Sequence, residues 1–216
     1  MKRLIVYDLD GTLVDTLEDI AAAANHVLRT LHAPPIPSAG VRGYIGRGVH
    51  DLMQQCLKTD DARRIDDGVA LFRAYYAQHA VDRSRLYPGT RALLEHFRAR
   101  RQAVITNKPN PFSRQILEAL GVAGYFLDII AGGDGYAQKP DPASLLALME
   151  RTGARPAEAV LIGDSPIDVE TGKRAGVSTV VVMHGLGDEA ELRAAAPEAM
   201  VRNFEELLRL AKERNW

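Results

Sequence analysis

The chain has 216 residues, of which 46% are hydrophobic and 25% are charged, as in a globular protein with one large domain or two small ones. Its 27 basic and 28 acidic residues leave a net charge of -1, which excludes the strongly basic surface that binds nucleic acid or an anionic membrane. No apolar run approaches the ~20 residues that span a bilayer, and the single cysteine, Cys56, excludes an intrachain disulfide, so we expect a cytoplasmic protein.

The first predicted element is a buried strand. Leu4–Tyr7 is short, continuous and apolar, and it ends in the turn-forming sequence Asp-Leu-Asp-Gly. Apolar residues spaced three and four apart then predict three helices, within residues 14–31, 49–57 and 65–76. Three successive helices without a strand between them indicate a small helical unit.

Strands and helices alternate in the second half of the chain. The predicted strands are Gln102–Thr106, Leu127–Ala131, Val160–Ile162, Thr179–Met183 and Met200–Arg202, and the helices are Phe112–Leu120, Ala143–Arg151, Ile167–Ala175 and Glu205–Trp216. This alternation predicts an α/β fold, a Rossmann-like parallel sheet with helices on both faces. We therefore predict a core of residues 1–14 and 86–216 with an inserted helical cap of residues 15–85.

Polar residues follow several of the predicted strands. In a parallel α/β sheet, ligands bind at the carboxyl ends of the strands, so these side chains are expected to meet at one edge. In chain order they are Asp8, Asp10, Thr106, Asn107, Lys139, Asp164 and Asp168.

The predicted edge carries four carboxylates and one ammonium group, an imbalance that calls for a divalent cation. Mg²⁺ suits such hard oxygen ligands. Asp8 and Asp164 are the expected carboxylate ligands, joined by the backbone carbonyl of Asp10. The tight turn at Gly11-Thr12 is expected to present free backbone N–H groups to phosphate oxygens.

These motifs resemble a known family. Asp8-Leu9-Asp10-Gly11-Thr12, Thr106, Lys139 and Gly163-Asp164-Ser165-Pro166-Ile167-Asp168 look like the four motifs of the haloacid dehalogenase-like hydrolase superfamily. The resemblance covers the whole chain, including a helical cap inserted after the first strand. It implies an Mg²⁺-dependent enzyme acting on a small phosphorylated metabolite.

The resemblance also implies a role for each motif residue. Asp8 would attack phosphorus, and Asp10 would protonate the leaving oxygen and later activate water. Thr106, with Asn107 beside it, would bind the transferring phosphoryl group, and Lys139 would neutralise its charge. Asp164 would bind the metal directly with Asp168 in support. Asp10 favours phosphoryl transfer over dehalogenation, and Gly163 favours a phosphatase over a sugar phosphomutase.

The predicted cap contains a glycine-rich stretch that resembles the cap loop of bacterial phosphoglycolate phosphatases. The matching part is Ile45-Gly46-Arg47-Gly48 followed by a helix. If the substrate is 2-phosphoglycolate, Arg47 or Arg42 is the expected partner of its carboxylate.

Several alternatives remain open at this point. The substrate could be another small metabolite or pyrophosphate, or the enzyme could be a sugar phosphomutase of the same fold. A catalytically silent phosphate-binding module is the non-enzyme alternative. The chain is expected to be a monomer or a homodimer.

Overall fold

A computed structural model describes all 216 residues and contains a sheet of six parallel strands. The eight strands of the chain are β1 Leu4–Tyr7, β2 Val14–Asp15, β3 Arg85–Leu86, β4 Arg101–Pro109, β5 Asp128–Gly132, β6 Ala159–Gly163, β7 Ser178–Val182 and β8 Ala199–Val201. Their order across the main sheet is β5-β4-β1-β6-β7-β8. The predicted α/β class with a parallel sheet is confirmed.

Strand β1 lies in the middle of this sheet, and all four of its side chains are fully buried. Ile5 and Tyr7 pack into the larger apolar cluster on one face, whereas Leu4 and Val6 pack into the cluster on the other. A strand covered on both faces reads as a continuous apolar run. This position also brings the residue that follows β1 between the ends of β4 and β6.

Ten α-helices accompany the strands, and none is both long and apolar enough to cross a membrane. They are α1 Leu17–Thr30, α2 Ser38–Arg42, α3 Val49–Leu57, α4 Ala62–His79, α5 Thr90–His96, α6 Phe112–Ala119, α7 Ala143–Thr152, α8 Pro166–Ala175, α9 Glu189–Ala195 and α10 Phe204–Glu213. Helices α2, α5 and α9 were not predicted from the sequence. These helices have five to seven residues and bury only one to three side chains each, too few to produce a recognisable period.

Helices α1 to α4 lie between β2 and β3, and we call residues 15–85 the cap segment. The two connections to the core pair with each other, because Val14 and Asp15 of β2 lie opposite Leu86 and Arg85 of β3. The buried carboxylate of Asp19 adds to this junction by accepting hydrogen bonds at 2.7–3.0 Å from the backbone N–H groups of residues 83 and 84. Both predicted domain boundaries fall within the β2–β3 pair, and the division into two domains stays a prediction.

Candidate active site

The carboxyl ends of the central strands bring the predicted motif residues together. Asp8 follows β1, and its N–H donates to the carbonyl of Ile162 in β6 at 2.9 Å. Thr106 lies on β4, the other neighbour of β1, and Asp164 follows β6. Lys139 reaches the same edge from the loop between β5 and α7. All four side chains are at least 90% buried.

Lys139 lies between two carboxylates. Its Nζ is 2.9 Å from Asp8 Oδ1 and 2.7 Å from Asp168 Oδ1. Burial by itself would lower the pKa of Lys139, but Asp168 and Asp8 outweigh that effect and hold the pKa above its ordinary value. The lysine is therefore a fixed positive charge beside Asp8.

Asp8 keeps one carboxylate oxygen free. Oδ1 accepts from Lys139 and from the N–H of Leu9 at 2.7 Å, whereas Oδ2 has no hydrogen-bond partner and Asp8 lines the open cleft described below. Burial raises the pKa of Asp8 to about 7, with Asp168 and Asp10 adding to the shift and Lys139 opposing it. The free oxygen is placed to act as a metal ligand or a nucleophile.

Asp8, Asp164 and Asp168 present carboxylate oxygens within 4.8 Å of one another. Burial and then repulsion by Asp8 and Asp168 raise the pKa of Asp164 well above that of an ordinary carboxyl group. Three buried carboxylates with a single lysine between them leave an excess of negative charge, and Asp8 and Asp164 are hard oxygen donors of the kind that bind a divalent cation. The residues present therefore fit the predicted Mg²⁺ site.

The carboxylate of Asp168 is already saturated by protein donors. Oδ1 accepts from Lys139, and Oδ2 accepts from the hydroxyl of Ser165 at 2.6 Å and from the N–H groups of Ser165 and Asp164 at 3.1 and 3.3 Å. Ser165 and Asp168 thereby form a capping box at the start of α8. Asp168 orients the backbone at Asp164 and the ammonium of Lys139.

Asp10 has two partners of its own. Its Oδ1 accepts from the hydroxyl of Thr16 at 2.6 Å and from Nζ of Lys108 at 2.9 Å. Lys108 was not among the predicted site residues. It is buried two residues beyond Thr106 on β4, so that strand alternation places it on the same side. The site therefore holds two lysines against four acidic residues, and its excess of negative charge is smaller than the sequence argument assumed.

The turn after β1 differs from its prediction in one respect. The N–H groups of Gly11 and Thr12 are not free, because they donate to Val14 O at 2.9 Å and Leu9 O at 3.3 Å. The hydroxyl of Thr12 donates to Asp164 Oδ1 at 2.6 Å. Gly11 has φ +79°, and a Cβ there would lie 2.2 Å from Asp164 Oδ2, so glycine allows the two loops to approach. A role for Gly11 and Thr12 toward substrate stays a prediction.

The loop of residues 184–187, which follows β7, is a second part of the site that was not predicted from the sequence. Leu186 N–H donates to Asp164 Oδ2 at 2.7 Å, and His184 Nε2 lies 3.1 Å from the carbonyl of Thr12. The imidazole also stacks on Tyr87 with a centroid distance of 4.1 Å. Ligands bind at the carboxyl ends of parallel strands, and this loop follows β7, the neighbour of β6. Its position could therefore have been predicted from the sequence in the same way as that of Asp164.

Asn107 and Arg42 connect the core to the cap segment. Asn107 Nδ2 donates to the carbonyls of Gly46 and Lys139, both at 2.9 Å, and its Oδ1 accepts from Lys139 N–H at 2.8 Å. Arg42 donates to Gly185 O at 2.5 Å and Leu186 O at 3.0 Å. Arg47 is exposed and has no hydrogen bond. Direct substrate binding by Asn107, Arg42 and Arg47 stays a prediction.

Two spaces adjoin the acidic residues. An open cleft of about 1000 Å³ is lined by Asp8, Asp10 and Asp164 together with Arg42 and Arg47 of the cap segment. A second cavity of about 50 Å³ lies between the cap segment and the core and is also lined by Asp8 and Asp10. A small ester in the cleft would thus have its reacting group surrounded by both parts of the chain.

Comparison with known proteins gives consistent matches over most of the chain. The family model for haloacid dehalogenase-like hydrolases matches residues 5–182. The phosphoglycolate phosphatases of Vibrio parahaemolyticus and Aquifex aeolicus are 34% and 35% identical to the chain, covering 95% and 96% of it and 94% and 96% of their own lengths. A crystal structure of a predicted phosphoglycolate phosphatase from Haemophilus somnus 129PT superimposes with a TM-score of 0.92 at 28% identity, covering 97% of this chain and 98% of that one.

Proposed function

Because the chain belongs to the haloacid dehalogenase-like hydrolase family, we propose that it hydrolyses a small phosphate monoester, 2-phosphoglycolate, to glycolate and phosphate. Two relatives named phosphoglycolate phosphatase match it at 34% and 35% identity over at least 95% of its length, which supports a phosphoric monoester hydrolase. The observation that carries the proposal is the free Oδ2 of Asp8, beside Lys139 and in the same cleft as a second acid, Asp10.

The first step transfers the phosphoryl group to Asp8. An oxygen of its carboxylate attacks phosphorus, and the bond from phosphorus to the ester oxygen breaks. The electron pair of that bond goes to the leaving oxygen, which takes a proton from Asp10. The products of the step are an aspartyl phosphate, an ionised Asp10 and the free alcohol.

The second step returns the enzyme to its starting state. Asp10 takes a proton from a water molecule as the water oxygen attacks phosphorus. The bond between phosphorus and the Asp8 oxygen breaks, which releases phosphate and restores the Asp8 carboxylate. Asp10 regains the proton that the next turnover needs.

Lys139 and Thr106 hold the transferring group. Lys139 brings a fixed positive charge against the phosphoryl oxygens, which reduces their repulsion of Asp8. The hydroxyl oxygen of Thr106 accepts from Lys108 N–H at 3.2 Å, so its proton is free to donate to a phosphoryl oxygen.

Asp8, Asp164 and the backbone carbonyl of Asp10 would hold Mg²⁺, with Asp168 as an orienting neighbour. When bound, the ion supplies positive charge that compensates the carboxylates and the incoming phosphate. A cytoplasmic location and a monomeric or homodimeric state stay predictions.

A panel of esters tests this proposal. The kcat/KM values for 2-phosphoglycolate, other small phosphate esters and pyrophosphate are compared with Mg²⁺ and with excess chelator, and glucose 1-phosphate is assayed with and without an activating bisphosphate. We expect 2-phosphoglycolate at or near the top, no turnover after chelation, and loss of turnover in Asp8→Asn. If no ester is hydrolysed, or if the protein acts chiefly as a mutase, the proposed reaction is wrong. A clear preference for pyrophosphate would contradict the proposed substrate.

A further inference from the structure

The 50 Å³ cavity between the cap segment and the core contains two polar groups to which the proposed chemistry assigns no role. Asp8, Asp10 and Thr106 line the side of the cavity where the phosphoryl group is expected. The remaining walls are mostly apolar, formed by Ile20, Ile45, Val49, Leu52, Phe72 and Phe112. Three polar side chains interrupt these walls. The amide of Asn107 is already hydrogen-bonded within the protein, which leaves Tyr76 of the cap segment and Lys108 of the core.

The Tyr76 hydroxyl is the first of these groups. The side chain is 1% exposed, and its Oη has no hydrogen-bond partner. Its ring is held between Phe72 and Phe112 at centroid distances of 5.2 and 5.3 Å. Burial raises the pKa of Tyr76 to about 12, against the opposing effect of Lys108, so the hydroxyl keeps its proton. A buried donor without a partner destabilises a protein, which makes a ligand acceptor the natural explanation for its presence.

The Lys108 ammonium is the second group. It is 2.9 Å from Asp10 Oδ1 and 4.6 Å from the centre of the Tyr76 ring. An ammonium group has three donors, and one of them is directed to Asp10 Oδ1. The cavity therefore contains one charged donor and one neutral donor that are both available to an anion.

We infer that Tyr76 and Lys108 form a subsite for a carboxylate carried by the leaving group, an inference that rests on the proposed phosphatase function. The cavity limits the size of that group. A single water molecule needs about 10–15 Å³ of such space, so a cavity of about 50 Å³ takes a few heavy atoms and excludes a sugar ring.

Two esters that differ at the carboxylate test the inference. Ethyl phosphate has a methyl group where 2-phosphoglycolate has its carboxylate, so the ratio of their kcat/KM values measures recognition of that group. We expect the ratio to fall about 10-fold or more in Tyr76→Phe and about 100-fold in Lys108→Met, through a higher KM for 2-phosphoglycolate. Tyr75→Phe is the matched control, because Tyr75 stacks on His26 and His79 outside the cavity.

Inhibition by glycolate gives a second measurement that needs no change of ester. We expect the inhibition constant of glycolate to rise in Tyr76→Phe and Lys108→Met by factors similar to the fall in the kcat/KM ratio. Melting curves establish that each variant is folded. If Lys108→Met is inactive, Tyr76→Phe alone decides.

The inference would be contradicted if the wild-type kcat/KM ratio were near one or if Tyr76→Phe left the ratio unchanged. It would also be contradicted if the ratio fell in Arg47→Gln, the variant at the alternative carboxylate partner, and in neither of the other two. The proposed function would stand in each case. A wild-type protein that hydrolyses no ester would contradict both.

Discussion

Asp8 is a buried carboxylate in which desolvation outweighs the ion pair with Lys139, so its pKa rises from 3.8 to about 7. The folded protein therefore binds a proton at Asp8 more tightly than the unfolded chain does. The resulting stabilisation is complete below about pH 4 and is lost as the pH rises through about 7. Above that pH, the metal-free protein holds an ionised carboxylate that its surroundings compensate poorly.

Replacing Asp8 by asparagine is expected to stabilise the metal-free protein at pH 8, because it removes this charge while Lys139 keeps its contact with Asp168 at 2.7 Å. We expect the free energy of unfolding in urea with chelator present to rise by about 1–3 kcal/mol at pH 8 and by less at pH 5. Equal stability of the variant and the wild type at pH 8 would contradict the raised pKa.

At the scale of elements, the 184–187 loop determines how Asp164 is held. A Cβ at Gly185 would lie 2.3 Å from Asp164 Cβ and 2.4 Å from the carbonyl of Gly11, so the loop would have to move. That movement would remove the hydrogen bond from Leu186 N–H to Asp164 Oδ2. The loop thus orients Asp164, the proposed metal ligand, although it contributes no ligand itself.

The Gly185→Ala variant is expected to bind Mg²⁺ about 10-fold to 100-fold more weakly. The measurement is the Mg²⁺ concentration that gives half-maximal hydrolysis, together with the Mg²⁺-induced rise in Tm. Gly124→Ala is the control, because a Cβ at Gly124 would meet nothing within 4 Å. A normal Mg²⁺ requirement in Gly185→Ala would show that the loop does not orient Asp164.

Arg42 connects the cap segment to the same loop through the carbonyls of Gly185 and Leu186. If this contact is its main role, Arg42→Gln lowers kcat/KM for 2-phosphoglycolate and for ethyl phosphate by the same factor, about 10-fold, because both esters need the cap segment in place. The test is to measure kcat/KM for both esters with Arg42→Gln and with the wild-type protein. A loss confined to 2-phosphoglycolate would instead identify Arg42 as the partner of the substrate carboxylate.

At the scale of the whole molecule, folding gathers carboxylates that repel one another, and a cation offsets part of that cost. We expect saturating Mg²⁺ to raise Tm by about 5–10 °C at pH 8 and by clearly less at pH 5, which lies below the pKa of about 7 of Asp8, so that a proton competes with the cation for this carboxylate. Tm is measured by scanning calorimetry. The control replaces Mg²⁺ with K⁺ at the same ionic strength. An equal rise at both pH values would exclude the carboxylate cluster as the site of binding.

Much of the core was predictable because its strands are covered on both faces and therefore read as apolar runs. Leu4–Tyr7 has the same bounds in the prediction and in the structure. The short helices α5 and α9 were not predictable in this way. In α9, for example, Leu192 is the only buried side chain, and the helix begins at an Asp188 cap rather than at an apolar stripe.

The convergence of Asp8, Thr106, Lys139 and Asp164 followed from the sequence by itself, because parallel strands bring their carboxyl ends to one edge of a sheet. The tertiary structure alone decided the rest of the site. Lys108 meets Asp10 across 98 residues of chain, and Arg42 meets the 184–187 loop across 143 and 144 residues. Local periodicity specifies which face of an element is buried, but not which distant side chain packs against it. The unpartnered hydroxyl of Tyr76 could be recognised only once the cap segment and the core were seen in contact.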